Sequence, residues 1–245
     1  MKSFFAALRF LTILPVPGDG SRDGIVLENS LVYFPVVGLL LGLLSALAAV
    51  GLQFLLPPLP VAVVLVSLLV LFSGGLHMDG LADTADGFFS SRPRERILEI
   101  MRDSAIGSMG TLAMVLVLCL KIATLASVPG SKVWQAVFLM PLAGRSALVL
   151  MTSFFPYARY EGGLASPFFK GGKAMPAGVA LLLFMVCALV VAGAALGGLS
   201  IMASGAVCLL FGSFCMRKIG GITGDTLGCT CELVETAIAL IFAVH

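Results

Sequence analysis

The chain has 245 residues, of which 59% are hydrophobic and only 11% are charged, and its mean hydropathy is +1.09. Soluble domains carry about 25% charged residues, so a water-soluble globular fold is excluded and the lipid bilayer is the expected solvent. A formal net charge of +2 gives no reason to expect a nucleic-acid partner. The six cysteines lack paired metal-ligand spacing, and we interpret them as small apolar residues.

The first 30 residues are interpreted as a cytoplasmic N-terminal segment. Within it, Ser3–Leu14 is predicted to be a helix that lies at the membrane interface and is stopped by Pro15 and Pro17. Arg9 interrupts the apolar stretch and no small-residue cleavage site follows it, so a signal peptide is not indicated. Residues 31–245 are predicted to form a helical bundle, and the whole chain is interpreted as one integral membrane domain.

Apolar runs long enough to cross a bilayer follow one another along the rest of the chain. A helix needs about 20 apolar residues to cross, and seven runs approach this length. They predict an all-α, polytopic transmembrane bundle of about seven spans, because only helices or closed barrels satisfy the backbone in lipid. The runs are Leu31–Leu56, Leu59–Leu76, Ala105–Val128, Val133–Phe155, Ala174–Leu196, Leu199–Met216 and Leu227–Val244. The fifth and sixth meet at Gly197-Gly198.

The charged residues predict the orientation of these spans. With the N-terminus in the cytoplasm, 12 of the 15 basic residues fall inside, one falls outside and two lie within spans, as the positive-inside rule requires. All 13 acidic residues fall on the same side or just within it, which the rule does not require. We therefore expect the chemistry at the cytoplasmic face of the membrane, in loops 77–104, 156–173 and 217–226.

The most distinctive acidic stretch is Gly74–Gly87, which follows the second predicted span. Asp79, Asp83 and Asp86 stand at positions i, i+4 and i+7, so a helix would place their carboxylates on one face. No Lys or Arg lies between them, and a hard cation such as Mg²⁺ is the natural partner for such oxygens and for substrate phosphates. A merely solvated acidic loop is disfavoured by the small and apolar flanks. His77 is predicted to orient a phosphate, donate a proton or cap the turn.

The second acidic stretch, Glu95–Gly110, has two interpretations. Its first half is explained by an amphipathic interfacial helix with ion pairs along its surface. Asp103 differs because it leads directly into the next span beside Ser104 and Gly107, small residues that allow a bulky ligand to approach the backbone. We therefore expect Asp103 to be functional, with Ser104 and Gly107 at a substrate-binding surface.

The third acidic stretch opens the final span. Asp225, Gly228, Glu232 and Glu235 are spaced for one face of a helix, and Glu235 lies well inside an apolar run. A carboxylate near the bilayer centre costs roughly 3 kcal/mol on insertion scales, so a buried acid without a task is unusual. The three acids of this stretch are therefore candidate substrate-binding or metal-binding residues.

Two basic residues lie inside predicted spans. Arg145, within Gly144-Arg145-Ser146, is the obvious countercharge for the buried acids or a ligand for phosphate. Lys121 lies nearer the outer end of its span, where a side chain can reach the interface by snorkelling.

Together, these stretches resemble the cobalamin synthase family, also called adenosylcobinamide-GDP ribazoletransferase. The resemblance rests on Gly-Gly-x-His-x-Asp-Gly-x-Ala-Asp-x-x-Asp-Gly at 74–87, on Glu99-Ile-Met-Arg-Asp-Ser-x-x-Gly-x-x-Gly110, and on Gly224-Asp-x-x-Gly-x-x-x-Glu-x-x-Glu235. The opening stretch Phe10–Pro17 is also similar, although Ile13 stands where the family often has Arg. The resemblance covers essentially the whole chain.

The resemblance implies a Mg²⁺-dependent membrane transferase that joins adenosylcobinamide-GDP to α-ribazole, or to its 5′-phosphate, and releases GMP. Asp79, Asp83 and Asp86 would then hold Mg²⁺ against the pyrophosphate, and Asp103 would be a further ligand or the base. Asp225, Glu232 and Glu235 would bind a second metal or orient the ribazole, with Arg145 countering charge. The resemblance also implies the cell (inner) membrane of a prokaryote as the location of the protein. The resemblance leaves open whether other cobalamin-pathway enzymes associate with the cytoplasmic face.

A transporter coupled to ions or protons is the alternative from another class, since intramembrane acids and Arg145 also suit a cation pathway. Transport sites normally lie near the membrane midplane between structural repeats. The sequence shows no convincing repeat, and its acids lie at one face. Both features favour the enzyme.

Overall fold

A computed structural model describes residues 2–16, 24–159 and 162–244. Pro17, which was predicted to help stop the first helix, lies outside the described residues, as do the charged residues Asp19, Arg22, Asp23 and Glu161. The regular secondary structure of the described part is helical, apart from an isolated parallel bridge between Tyr157 and Ile222. The all-α, polytopic fold class predicted from the sequence is confirmed.

Ten α-helices occur in the described ranges. They are α1 Lys2–Leu11, α2 Gly24–Glu28, α3 Phe34–Leu52, α4 Pro58–Phe72, α5 Leu76–Phe88, α6 Arg94–Ile100, α7 Ser108–Ser127, α8 Gly130–Phe154, α9 Ala174–Ile219 and α10 Gly224–Val244. Two short 3-10 helices, Leu31–Tyr33 and Ser166–Phe169, lie before α3 and before α9.

Five helical stretches of the described chain are long and apolar enough to cross a membrane, and they contain α3, α7, α8, α9 and α10. The pair α4 and α5 passes the same test only jointly, with a bend of 87° between its halves. At 15 residues, α4 is about 22 Å long and is shorter than the hydrocarbon core of about 30 Å. The exact number of crossings stays a prediction.

Helix α9 accounts for the fifth and sixth predicted spans. Its 46 residues would measure about 69 Å if straight, more than twice the hydrocarbon thickness. Gly193 breaks it with a φ of 73°, a conformation that favours glycine. A methyl group at Gly197 would overlap the carbonyl oxygen of Ala188, so the chain folds back on itself here. The break lies four residues before the predicted junction, because Gly193 is the residue that adopts the left-handed conformation.

Helix α8 lies at the centre of the bundle and packs against α3, α9 and α10. The close approach of α3 depends on two glycines one helical turn apart. A methyl group at Gly38 would lie 2.6 Å from the carbonyl oxygen of Pro141, and one at Gly42 would overlap that of Phe138. Small residues at such spacing let membrane helices pack by close backbone contact. This contact fixes the wall against which the acidic helices pack.

The sharp turn between α4 and α5 positions the first acidic stretch. Gly74 and Gly75 have φ angles of 60° and 78°, and two consecutive glycines in this left-handed region let the chain turn through 87° with little steric cost. The amide of Ile13 donates to the carbonyl of Phe72 at 2.9 Å, which ties the end of the N-terminal helix segment to this turn. Predicted loop 77–104 therefore contains a buried helix, α5, which packs against α7 and α10.

Candidate active site

Helices α5 and α10 cross at a point where neither has a side chain. A methyl group at Gly80 would lie 2.7 Å from the carbonyl oxygen and 3.1 Å from the Cα of Asp225. One at Gly228 would lie 3.2 Å from the Cα of His77 and 3.3 Å from that of Gly80. The glycines of the first and third acidic stretches thus allow direct backbone contact, and they bring the acids of both stretches to one place.

Three acids surround this crossing, and we call Asp79, Asp83 and Asp225 the carboxylate cluster. Asp79 is exposed, whereas Asp83 and Asp225 are partly buried. Burial is the main cause that raises the pKa of Asp83 from 3.8 to about 7, and the nearby charges of Asp79 and Asp225 contribute to the same rise. The three neighbouring carboxylates therefore concentrate negative charge at the site.

Arg159 is the cation at this cluster. Its guanidinium donates to Oδ2 of Asp225 at 2.6 Å, and its side chain is only 10% exposed. The loop that carries it is pinned beside the start of α10, because the Ala158 amide donates to the carbonyl of Ile222 at 2.8 Å. The amide of Ile222 in turn donates to the carbonyl of Pro156 at 2.9 Å. From the sequence, Arg159 was one of the 12 basic residues that indicate the cytoplasmic side, and its place in the site was not predicted.

Asp86, the third acid of the first stretch, caps another helix. Its carboxylate accepts hydrogen bonds from the amides of Gly107 at 2.7 Å and Gly110 at 2.8 Å, at the start of α7. Unpaired amides and the helix dipole make this end attractive to a carboxylate. A methyl group at either glycine would overlap the carboxylate, so Asp86 fills the space beside Gly107. The metal role predicted for Asp86 and the substrate role of Gly107 stay predictions.

Asp103 and Ser104 lie on an exposed turn between α6 and α7. Oδ1 of Asp103 accepts a hydrogen bond from the Ala105 amide at 3.1 Å, which stabilises the turn locally. The amino-terminal part of this second stretch forms the predicted short helix, with an exposed ion pair of 2.6 Å between Arg96 and Glu99. This hydrogen bond stays within the turn and gives no link to the carboxylate cluster, so the catalytic role of Asp103 stays a prediction.

Deeper in the bundle, four charged side chains form a second group, which we call the buried ion network. Lys121 donates to Glu232 at 2.5 Å and to Glu235 at 2.7 Å, and Arg145 donates to the other oxygen of Glu235. All four residues are at most 4% exposed. The pairing predicted for Arg145 and Glu235 is present, whereas the expectation that Lys121 snorkels to the interface is wrong. Its two acceptors lie on α10, not at the membrane surface.

His77 lies between the two groups of charges. It is 3% exposed, and its Nε2 has no hydrogen-bond partner among the described residues. The charges of Arg145, Glu235 and Lys121 all act on its imidazole. The structure therefore places His77 next to the buried ion network on one side and the α5–α10 crossing on the other.

A preformed metal-binding group of three or more His, Cys, Asp or Glu side chains does not occur in the described part of the chain. The chemistry of the carboxylate cluster nevertheless suits a hard divalent cation, because its donors are all oxygens and repel one another. Glu232 and Glu235 are different, since Lys121 and Arg145 already engage both carboxylates. The carboxylate cluster is therefore a better candidate for binding a cation than Glu232 and Glu235 are.

Comparisons with known proteins place the chain among enzymes of one kind. The model of the cobalamin-5-phosphate synthase family matches residues 3–243. A protein of Roseiflexus sp. named adenosylcobinamide-GDP ribazoletransferase is 46% identical over 94% of this chain and 84% of its own length. Proteins of the same name from Chlorobaculum tepidum and Acetivibrio thermocellus are 40% and 38% identical, over 100% and 99% of this chain and 96% and 97% of their own lengths. No solved structure matches the chain.

Proposed function

The chain belongs to the cobalamin-5-phosphate synthase family and is a multi-pass membrane transferase of phosphate-containing groups, and from this we propose the reaction it catalyses. It joins adenosylcobinamide-GDP to α-ribazole, or to α-ribazole 5′-phosphate, and releases GMP. The α5–α10 crossing carries this proposal, because it gathers the acids of two separate stretches beside one arginine. Membership of a transferase family leaves no reason to retain the transporter alternative.

A ribazole hydroxyl forms the new oxygen–phosphorus bond at the cobinamide-bearing phosphate, and the bond from that phosphate to the GMP oxygen breaks. The hydroxyl proton passes to a carboxylate, and GMP leaves with the electron pair. Phosphoryl transfer needs positioning and charge neutralisation more than covalent help from the protein. The three acids and the arginine at the crossing supply groups for both tasks.

Asp79, Asp83 and Asp225 would hold Mg²⁺ in this proposal. When bound, the metal would neutralise charge on the pyrophosphate and on the departing phosphate. The unfavourable closeness of the three carboxylates in the chain itself supports this assignment. Asp86 keeps the start of α7 in register with the cluster through its two amide contacts.

Arg159 would transfer its guanidinium from Asp225 to a substrate phosphate. Its present hydrogen bond occupies one nitrogen, and a planar guanidinium suits bidentate phosphate binding. A metal cation bound to Asp225 would replace the positive charge that this carboxylate loses when Arg159 moves away. Asp103 and Ser104, on their exposed turn, would contact a substrate from outside the cluster.

GMP release by purified protein in liposomes tests the proposal. We expect GMP only when adenosylcobinamide-GDP, a ribazole and Mg²⁺ are all present, and removal of Mg²⁺ by EDTA should stop it. Arg159→Gln should lower the rate at least about tenfold, since charged hydrogen bonds contribute about 1.5–3 kcal/mol. The exposed Arg217→Gln is the matched control and should keep the wild-type rate. Equal GMP release without ribazole would identify a hydrolase instead.

We also propose that the cluster opens to the cytoplasm, as the distribution of basic residues indicates. In a background without native cysteines, Arg92→Cys should resist an impermeant thiol reagent in intact cells. Ser131→Cys, in the first turn of α8 beside the short connection to α7, should react. Both positions are exposed, so the reverse pattern would overturn the orientation.

A further inference from the structure

A cavity of about 150 Å³ adjoins the carboxylate cluster and reaches into the apolar part of the bundle. Its floor is formed by Leu148 of α8 and Leu227 of α10. The end of α1 contributes Phe10, and the 3-10 helix before α9 contributes Phe168. Segments far apart in the sequence thus close a single apolar space that the reaction described above has not used.

Three phenylalanines form one wall of this cavity. The ring of Phe168 meets Phe10 at a centroid distance of 4.9 Å and Phe34 at 5.1 Å, both edge to face. Phe10 and Phe34 are themselves stacked with centroids 6.0 Å apart. Such mutual contacts hold the rings in place, and aromatic edges and faces are the surfaces on which a flat ligand packs. An apolar cavity of about 150 Å³ in an engineered protein binds benzene, so the space suits a ring system.

Polar groups border the cavity only where it meets the reaction site. Asp79, Asp225, Arg159 and His77 lie at this side, together with the ring of Tyr157. A ligand that fills the cavity therefore has a flat apolar part inside and a polar part beside the acids. A nucleoside with an apolar base has this form, because its ribose hydroxyls follow directly after the ring.

The two nucleosides of the reaction differ in this respect. Guanine carries donors and acceptors on several edges, and burying them against phenylalanine and leucine would leave them without partners. Ribazole carries a methyl-substituted benzimidazole, which is flat and largely apolar. The corrin ring of the other substrate is far larger than the cavity.

We propose that this cavity binds the benzimidazole base of ribazole and so places a ribose hydroxyl beside Asp79 and Asp225. The proposal rests on the proposed function and assigns the acceptor its own subsite. Guanosine and the corrin ring lie outside the cavity, on the open side of the carboxylate cluster. Selectivity for the lower base then resides in Phe10, Phe34 and Phe168.

Filling the cavity tests this assignment. Ala165 borders it and is 4% exposed, so Ala165→Leu adds bulk where the base would lie. We expect the KM for α-ribazole to rise at least about fivefold, because stacking of a base on aromatic side chains is worth about 1–3 kcal/mol. The KM for adenosylcobinamide-GDP should change less than about twofold. Phe168→Ala, which removes one ring of the aromatic wall, should also raise the KM for α-ribazole and leave that for adenosylcobinamide-GDP within about twofold.

The matched control fills a different cavity at the opposite end of the bundle. Val128→Phe enters the space bordered by Gln53 and Leu125 and should leave both KM values unchanged. Equilibrium binding of α-ribazole to the purified protein provides a second readout that needs no turnover, and Ala165→Leu should weaken it by the same factor. Unchanged ribazole affinity in a folded Ala165→Leu protein would overturn the subsite and leave a lipid chain as the occupant. Wild-type protein that releases no GMP would instead overturn the proposed function.

Discussion

The carboxylate cluster and the buried ion network share helix α10, and they treat negative charge in opposite ways. In the network, Lys121 and Arg145 face Glu232 and Glu235, so two cations meet two anions away from solvent. In the cluster, one ion pair occurs among the described residues, between Arg159 and Asp225. About ten residues of one helix thus separate a neutral interior from an acidic surface.

This difference separates a structural task from a chemical one. Asp79 and Asp83 form no ion pair within the described part of the chain. Their mutual repulsion is tolerable because solvent or a bound cation can reach both carboxylates. Buried charges have no such relief and persist only when they are paired and hydrogen-bonded. We therefore interpret the network as the support that holds α7, α8 and α10 together under the reacting groups. The following variants test this division.

The largest effect is expected from unbalancing the network. Lys121→Met leaves two carboxylates with one cation, and removing one partner of a buried pair costs about 3–5 kcal/mol. Thermal unfolding in detergent should show this loss. The double variant Lys121→Met/Glu232→Gln restores neutrality and keeps the Arg145–Glu235 pair, so it should recover most of the stability. Lys170→Met, at an exposed position, is the control and should change stability by less than about 0.5 kcal/mol. Equal losses in the single and double variants would contradict the network.

An intermediate effect is expected from separating the two acidic helices. In Gly80→Ala, the new methyl group meets backbone atoms of Asp225 at 2.7 and 3.1 Å, so α5 and α10 must move apart. A misplacement of about 1 Å can reduce the rate about a hundredfold. Steady-state GMP release should show this drop with the folded protein still abundant. Gly178→Ala meets no atom within 4 Å and should retain wild-type activity. Full activity in Gly80→Ala would remove the crossing from the site.

The smallest effect is expected from Asp83→Asn. This variant should change both the activity and the pH dependence of the unfolding temperature. Loss of a cation ligand should lower the Mg²⁺ affinity or the activity by about tenfold or more. Without metal, the wild-type carboxyl has a pKa of about 7 when folded and about 3.8 when unfolded. The folded state therefore gains stability as the pH falls from about 7 towards 4, since it binds the proton first.

Asp83→Asn should lack this gain, so its unfolding temperature in EDTA should depend less on pH than that of the wild type. Lys121→Met should show no such pH signature, because the network contributes no exposed acid. Parallel pH profiles for wild type and Asp83→Asn would mean that neither burial nor the neighbouring charges raise the pKa of Asp83 in the folded protein.

The spans and the acidic stretches were predictable because their signals are local. Lipid forces the backbone into helices, so apolar length alone reveals α3, α7, α8 and α10. The spacing of Asp79 and Asp83 places them on one helical face whatever surrounds that helix. Even the turn at Gly193 has a local cause, although the sequence placed it at the neighbouring glycines.

The partners of the charges were decided only by the tertiary structure. Lys121 and Glu232 are 111 residues apart, and Asp86 meets the amide of Gly107 only because α5 packs beside the start of α7. Arg159 reaches Asp225 through a loop that a single backbone bridge pins in place. Helical periodicity tells which face a side chain occupies, whereas electrostatic pairing depends on which faces meet. For this chain, the sequence determined where acids and spans lie, and the packing of α10 decided which acids are neutralised and which remain available for chemistry.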